Sequence, residues 1–349
     1  MTKKRKIALI SGVTGQDGSL IAEFLLKKNY IVHGIKRRSS SLHSTIRLDK
    51  IYQDKFIKKK SFFLHYGDIT DPSFCNRIIQ EIKPSEVYHL AAQSHVAISF
   101  ELPHYTVSTN ALGTLNLLES IRINKLQNKI KFYNAASSEM YGSLKGNSQN
   151  ENTPFMPQSP YASSKLFSYW ITKNYRESYK IFASNGILFN HESFNRGETF
   201  VTKKITLFVA KYKKNKKGIL YLGNLSAKRD WGYAGDYIKG IWKIMRQSKP
   251  DDFVLATGKS HSVREFLKEA FKNININMIF RGSGVNEIGI DSKSGKIIVK
   301  SLSYYYRPNE VNNLVGDYAK ARKKLNWKPS LNFKQLVKLM VDEDIKNYS

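Results

Sequence analysis

The chain has 349 residues, of which 41% are apolar and 12% aromatic, so it can form one large domain or two interlocked domains with a packed core. Its 57 Lys and Arg residues outnumber 28 Asp and Glu residues, which gives a net charge of +29 at pH 7. The basic residues are spread along the chain and match no nucleic-acid-binding motif. We therefore expect a lysine-rich solvated surface and no nucleic-acid partner.

Membrane and secretory segments are also not expected. No apolar run approaches the ~20 residues of a membrane-spanning helix, and glycines interrupt the first apolar stretch too early for a signal peptide. Cys75 is the single cysteine, which excludes an intrachain disulfide and a cysteine zinc cluster. These features predict a cytoplasmic protein.

The first predicted elements are a strand, a glycine turn and a helix. Residues 7–10 form a short apolar run typical of a strand that is buried on both faces. The turn contains Gly12, Gly15 and Gly18, and an amphipathic segment follows it. Glycine allows the backbone to approach a pyrophosphate closely, and the helix N-terminus presents free N–H groups to it. The pattern predicts dinucleotide binding, with a purely structural turn as the alternative.

The end of the second predicted strand indicates which dinucleotide is bound. NAD enzymes usually carry an acidic residue there, which hydrogen-bonds the ribose 2′-hydroxyl. Here residues 36–40 read Lys-Arg-Arg-Ser-Ser. The guanidinium groups of Arg37 and Arg38 can pair with a 2′-phosphate. We therefore predict NADP, with a solvated basic loop as the alternative.

Strand-like and helix-like segments alternate through the first half of the chain. This alternation predicts an α/β fold with a Rossmann-type doubly wound parallel sheet. After residue 188 the alternation loosens, although residues 253–256 are expected to rejoin the main sheet. A smaller, interleaved C-terminal substrate domain is expected to complete the protein. The predicted boundaries are residues 1–190 plus about 226–258 for the NADP-binding domain, and 191–225 and 259–349 for the substrate domain.

Candidate catalytic residues follow the fifth predicted strand, where parallel sheets bind their ligands. Tyr161 and Lys165 are four residues apart and share a helical face. A free tyrosine has a pKa of about 10, and a neighbouring ammonium with an oxidised nicotinamide should lower that pKa. Tyr161 can then remove a proton from a substrate hydroxyl that Ser137 hydrogen-bonds. An ordinary amphipathic helix is the alternative interpretation of the Tyr–Lys pair.

Glu139 distinguishes between possible reactions. Hydride exchange alone needs no further carboxylate, whereas elimination of water needs a base beside the new ketone. A glutamate two residues after Ser137 can reach that position. The alternative is a surface or capping glutamate.

Six stretches resemble a known family, and the resemblance runs nearly from end to end of the chain. They cover residues 12–18, 34–40, 90–96, 186–193, 196–202 and 229–232. The chain resembles extended short-chain dehydrogenases/reductases, and within them the GDP-mannose 4,6-dehydratases. The resemblance implies a lyase of the hydro-lyase type that acts in nucleotide-sugar metabolism and deoxysugar biosynthesis. Its smaller domain would bind the nucleotide sugar.

The reaction implied by this resemblance converts GDP-mannose to GDP-4-keto-6-deoxymannose. Tyr161 acts as the base at O4, Lys165 supports it, and hydride passes from carbon 4 to NADP. Glu139 removes the proton at carbon 5, water leaves from carbon 6, and the hydride returns to carbon 6. NADP is regenerated and stays bound.

The resemblance also implies which residues bind the ligands, with no metal involved. The cofactor contacts are Gly12, Val13, Thr14, Gly15, Gln16, Asp17, Arg37, Arg38, Ser39, Ser40, Asp68, Ile69, Leu90, Ala91, Ala92, Gln93, Ser94, Tyr105, Lys165, His191 and Arg196. The nucleotide-sugar contacts are Ser94, Ser137, Glu139, Tyr161, Asn190, Lys204, Arg229, Arg307 and Glu310. Arg229 and Arg307 are suited to the pyrophosphate, although each alone could be a surface charge.

Two departures from related patterns concern the catalytic residues. Ser137 stands where the family commonly has Thr, so the hydroxyl is kept. The dTDP- and UDP-sugar dehydratases carry Asp-Glu where this chain has Ser138-Glu139. We therefore expect Glu139 to serve as both base and acid, and Glu139→Gln to stop water loss while sugar binding persists.

The sequence does not decide the oligomeric state or the exact activity. The family tendency implies a homodimer or homotetramer in which the loop at residues 37–48 reaches a neighbouring cofactor site. The substrate could instead be a related GDP-sugar such as GDP-manno-heptose. An NADP-dependent nucleotide-sugar epimerase or reductase would share most of these motifs, and so would a catalytically silent NADP-binding scaffold.

Overall fold

The computed structural model describes residues 5–38, 45–52, 60–143 and 148–348. Its fifteen strands, in chain order, are β1 (Ile7–Ser11), β2 (Ile31–Lys36), β3 (Phe62–Tyr66), β4 (Glu86–His89), β5 (Lys131–Ser137), β6 (Phe182–Leu188), β7 (His191–Glu192), β8 (Leu220–Leu222), β9 (Lys228–Arg229), β10 (Gly232–Tyr233), β11 (Phe253–Leu255), β12 (His261–Ser262), β13 (Met278–Arg281), β14 (Ile288–Asp291) and β15 (Ile297–Ser301).

Eleven α-helices lie in the described part of the chain. They are α1 (Gln16–Lys27), α2 (Pro72–Ile82), α3 (Val96–Glu101), α4 (Pro103–Val107), α5 (Gly113–Ile123), α6 (Pro160–Tyr179), α7 (Val201–Asn215), α8 (Ala234–Met245), α9 (Val263–Lys272), α10 (Ala319–Leu325) and α11 (Phe333–Tyr348). A π-helical turn at Ser108–Leu112 joins α4 to α5, and a 3-10 turn at Ser138–Tyr141 follows β5. None of the helices in the described ranges is long and apolar enough to cross a membrane.

The main sheet has seven strands in the order β11-β6-β5-β4-β1-β2-β3, and every neighbouring pair is parallel. The predicted Rossmann-type doubly wound sheet is therefore confirmed. The predicted return of residues 253–256 is also confirmed, because Phe253–Leu255 pairs with β6. Such a sheet brings the carboxyl ends of its strands to one edge, where ligands bind.

Both faces of the main sheet are covered by helices, as parallel strands require. Ala8 and Ile10 point to one face, where they join a buried cluster with residues of α1 and α8. Leu9 points to the other face and packs with residues of α2 and α5. This alternation explains why β1 is apolar throughout.

A second core lies in the C-terminal half of the chain. Four strands pair in the order β13-β14-β15-β8, and residues 288–301 form the antiparallel hairpin β14–β15. Helices α7, α9 and α11 pack on this sheet around buried side chains such as Phe266, Leu267 and Met340.

Candidate active site

The glycine turn after β1 is tightly packed against the end of β4. Gly12 has φ +73°, and a Cβ there would lie 2.7 Å from the Ala91 backbone. A Cβ at Gly18 would lie 2.1 Å from the Gly12 carbonyl oxygen. Larger residues therefore cannot replace either glycine without moving the backbone. The turn directs the N-terminus of α1 towards a cleft of about 1080 Å³ at the carboxyl edge of the sheet.

The catalytic candidates meet on the wall of this cleft. Ser137 is the last residue of β5, and its Oγ accepts a hydrogen bond from the Glu139 N–H at 3.2 Å. Helix α6 begins at Pro160, with Ser159 capping the Ala162 N–H at 3.0 Å. This start fixes Tyr161 in the first turn of α6, with Lys165 one turn further. All four candidates, Ser137, Glu139, Tyr161 and Lys165, are buried and line the cleft.

The protonation states of Tyr161 and Lys165 are dominated by burial. Burial raises the pKa of Tyr161 to about 12, although its hydrogen bond with Ser137 acts in the opposite direction. Burial lowers the pKa of Lys165 to about 8. The Lys165 ammonium donates to the Ala135 carbonyl at 2.8 Å. Burial outweighs the groups that favour the phenolate, so the pKa of Tyr161 in this structure lies above its usual value.

Asp17 and His191 connect the glycine turn to the chain after β6. Asp17 Oδ2 lies 2.7 Å from His191 Nε2, and the His191 ring stacks on Tyr237. Burial opposes the charge on both partners, but their attraction prevails: the pKa of Asp17 is lowered and that of His191 is raised. Gln16 Nε2 also donates to the His191 carbonyl at 3.0 Å. Two of the predicted cofactor regions are therefore held together as one surface.

A cluster of four charged residues occupies the part of the cleft formed by the C-terminal half of the chain. Arg229, at the end of β9, lies with its Nε 3.5 Å from Glu139 Oε1 and donates from Nη2 to Glu310 Oε1 at 3.2 Å. Arg307 Nη1 lies 3.8 Å from both carboxylates. The predicted catalytic glutamate, on the wall built from β5 and α6, therefore faces predicted substrate residues of the opposite wall.

The remaining predicted contacts divide by location. The nucleotide-sugar candidates Ser94, Asn190 and Lys204 line the cleft, and Lys204 Nζ donates to the Tyr221 carbonyl at 2.7 Å. The cofactor candidates that also line it are Gly12, Thr14, Gly15, Gln16, Asp17, Arg37, Asp68, Ile69, Leu90, Ala91, Ala92, Ser94, Tyr105, Lys165, His191 and Arg196.

Three predicted cofactor residues do not line the cleft. Val13 is fully buried in the core against Gly34, and Arg38 is exposed. Gln93 is held by its neighbours, because its backbone N–H donates to Asn110 Oδ1 at 2.8 Å. Two further candidates, Ser39 and Ser40, lie outside the described residues.

The sequence profile of the family described as GDP-mannose 4,6 dehydratase matches residues 9–340. The chain belongs to the GDP-mannose 4,6-dehydratase family. It is 53% identical over 344 residues to GDP-mannose 4,6 dehydratase 2 of Caenorhabditis elegans, covering 98% of this chain and 90% of that protein. It is 52% identical over 341 residues to GDP-mannose 4,6-dehydratase of Sinorhizobium fredii, covering 98% and 97%.

A solved structure with the same fold is the dTDP-glucose 4,6-dehydratase of Streptomyces venezuelae with NAD and TYD bound. It superposes with a TM-score of 0.80 at 20% identity, covering 98% of this chain and 97% of that chain. At that identity the similarity is evidence for the fold alone. The resemblance that the motifs indicated is thus confirmed at the level of the family by the profile and the two relatives.

The sequence patterns did not identify two residues that help to form this site, Arg47 and Asn110. Arg47 lies beside the glycine turn: its Nε donates to the Asn195 carbonyl at 2.7 Å and its Nη1 to the Thr14 carbonyl at 3.4 Å. Asn110 lies in the π-helical turn, where its Nδ2 donates to Ser164 Oγ at 3.0 Å and so ties the end of β4 to α6. Such π-turns often occur at functional sites. The sequence carries no local signal for either residue, because their partners are distant along the chain.

Proposed function

We propose that the protein dehydrates GDP-mannose to GDP-4-keto-6-deoxymannose, with NADP as its cofactor. The observation that carries the proposal is the meeting of Ser137, Glu139, Tyr161 and Lys165 on one wall of the cleft. Membership of the family supports the substrate and the reaction type. A carboxylate beside a Tyr–Lys pair supports elimination rather than hydride exchange alone.

The protein has a surface suited to a dinucleotide. The glycine turn leaves no room for a Cβ at Gly12 or Gly18, so its backbone packs closely on the end of β4 and on the start of α1. The free N–H groups at the start of α1 suit a diphosphate. Gly15, Gln16 and Arg196 would hold the cofactor there, and Lys165 would lie near its nicotinamide. NADP bound there would supply a hydride acceptor for carbon 4 and a hydride donor for carbon 6.

Arg37 supports NADP rather than NAD. It follows β2 directly, and its Nη1 donates to the Tyr105 hydroxyl, while its guanidinium carbon lies 5.7 Å from the centre of that ring. Residues 36–38 carry no acid that would repel a 2′-phosphate. A guanidinium oriented by an aromatic ring can pair with that phosphate bidentately.

The chain's own residues divide the proton transfers. Ser137 orients the O4 hydroxyl, and Tyr161 removes its proton. The ammonium of Lys165 stabilises the phenolate that this step requires. Glu139 removes the proton from carbon 5 and delivers a proton to the hydroxyl that leaves carbon 6. Because the cleft buries these groups, their electrostatic interactions are stronger than in water.

We also propose a homodimer or homotetramer in which subunits contact each other through the surface of α3 to α6. Its apolar side chains include Leu102, Leu112 and Trp170, which are 51%, 45% and 51% exposed. Neighbouring exposed apolar side chains of this size are typical of protein interfaces. Within each subunit we propose the division predicted above: residues 1–190 with about 226–258 for NADP, and the rest for the nucleotide sugar.

The test is incubation of the purified protein with GDP-mannose and a catalytic amount of NADP. We expect a product that has lost one water, seen by mass spectrometry, with no net accumulation of NADPH. GDP-manno-heptose, assayed in parallel, would measure substrate preference. An epimerised product of unchanged mass, or stoichiometric NADPH, would refute the proposed reaction.

A further inference from the structure

The arginines nearest Glu139 are shared between two carboxylates. Arg229 Nε lies 3.5 Å from Glu139 Oε1, while its Nη2 donates to Glu310 Oε1 at 3.2 Å. Arg307 Nη1 lies 3.8 Å from the same oxygen of each glutamate. Two cations thus balance two anions within one small part of the cleft.

The two arginines are held differently. Arg229 is 6% exposed, and its Nη1 donates to the carbonyls of Val311 at 2.7 Å and Lys228 at 2.9 Å. These bonds fix its guanidinium, so that Nε and Nη2 face the carboxylates. Arg307 Nη1 is buried and has no hydrogen-bond partner among the described residues. Since a buried donor without a partner is costly, Arg307 is available to a stronger acceptor.

A diphosphate is such an acceptor. Guanidinium groups bind phosphate oxygens through two parallel hydrogen bonds, which are stronger than the long contacts that these arginines make with Glu139. A bound diphosphate would add negative charge to a neutral cluster and repel both carboxylates. The arginines cannot satisfy the diphosphate and still hold Glu139 at its present position.

We propose that Arg229 and Arg307 are positioning residues that hold Glu139 in the free protein and transfer to the diphosphate of the bound substrate. The transfer releases the Glu139 carboxylate towards the sugar when a sugar is attached to that diphosphate. This inference rests on the proposed function and assigns these arginines a second role besides binding. Glu139 thereby competes with the diphosphate, so removal of its charge strengthens nucleotide binding.

The test is calorimetric titration of the NADP-loaded protein with GDP and, separately, with guanosine, which lacks the diphosphate. For Glu139→Gln we expect GDP to bind about five- to tenfold more tightly than to the unaltered protein, a range typical of coupled sites. The affinity for guanosine should stay the same. If Glu139→Gln does not fold, as judged by circular dichroism, Glu139→Ala should give the same change.

The matched control is Glu101→Gln. Glu101 also lines the cleft and is exposed, and it makes no ion pair with another described residue. The control removes the same charge, and we expect its affinity for GDP to remain within about twofold of the unaltered protein, since a screened charge on the surface acts weakly. Equal tightening by both variants would overturn the proposal, because the effect would then be general electrostatics.

The remaining outcomes separate this inference from the proposed reaction. Unchanged or weaker binding of GDP by the Glu139 variants would overturn the proposed competition between Glu139 and the diphosphate for the arginines, even if the unaltered protein dehydrates GDP-mannose. If Glu139→Gln binds GDP more tightly by the predicted factor but the unaltered protein does not dehydrate GDP-mannose, the competition for the arginines is supported and the proposed reaction is refuted. Tightening of guanosine binding by the same factor would also overturn the inference, since no diphosphate is involved.

Discussion

Lys165 is expected to destabilise the folded protein at neutral pH. Its side chain is 4% exposed, and burial lowers its pKa to about 8. The unfolded chain would have a lysine pKa of about 10.4, so the difference of about 2.4 units corresponds to about 3 kcal/mol. Below pH 8 the lysine is charged in both states, and the whole cost of burying that charge is present.

The sign of the pH dependence follows from proton binding. Between pH 8 and about 10.4 the folded state binds fewer protons at Lys165 than the unfolded state, so this residue makes stability rise with pH. Lys165→Met removes both the charge and the titration. We therefore expect the stability of the variant, relative to the unaltered protein, to fall by about 3 kcal/mol between pH 7.5 and pH 10.5.

The assay is urea unfolding of both proteins at each pH and at a fixed protein concentration. The loss of the hydrogen bond to the Ala135 carbonyl lowers the stability of the variant by a similar amount at each pH, so it does not affect this difference. Lys338→Met, at a side chain that is 63% exposed, is the control for the loss of a lysine. A stability difference between variant and unaltered protein that does not change with pH would refute the reasoning.

Three further predictions concern activity and assembly. Tyr161→Phe keeps the ring and should lower kcat by about 10²- to 10⁴-fold in a GDP-mannose assay while GDP binding by calorimetry is retained; near-normal turnover would contradict its role as base. Arg47→Ala should weaken NADPH binding about tenfold in a fluorescence titration, since one charge-assisted contact beside the glycine turn is lost. Arg47→Lys should lose less affinity for NADPH, and equal affinity of both variants and the unaltered protein would show that Arg47 does not support cofactor binding. Trp170→Glu should shift the protein towards monomer in size exclusion with light scattering, and an unchanged mass would exclude this surface as the interface.

The elements that the sequence predicted best are those with short-range signals. Residues 7–10 lie in β1 as predicted, and residues 62–66 are a mainly apolar run that forms β3. Helix α2 begins at Pro72, with the Asp71 side chain accepting from the Ser73 N–H at 2.9 Å. The start of α6 after Ser159 is equally local. In each case the cap, the proline or the apolar run acts within a few residues, so tertiary contacts need not be known.

The three-dimensional site could be predicted only in part, because its partners are far apart along the chain. Position in a motif did not distinguish Val13, which enters the core, from Thr14, which lines the cleft. Nothing local indicated that Arg47 would reach the Thr14 carbonyl, since the two residues are 33 positions apart in the chain. The pKa of Tyr161 was also inaccessible, because its direction depends on how deeply the first turn of α6 is buried.

The charged groups of the cleft explain why its two walls depend on each other. Glu139 and Lys165 belong to the wall built on β5 and α6, whereas Arg229 lies at the end of β9 and Arg307 in the chain after β15. Buried charges are costly unless they are paired, and among the described residues Glu139 makes its ion pairs with arginines of the opposite wall. Lys165 finds a neutral carbonyl rather than a carboxylate, and its depressed pKa reflects that difference. The state that would favour folding therefore differs from the state that the proposed reaction needs. A charged Lys165 keeps the cost of its burial, and Glu139 must lose its arginine partners before it can act.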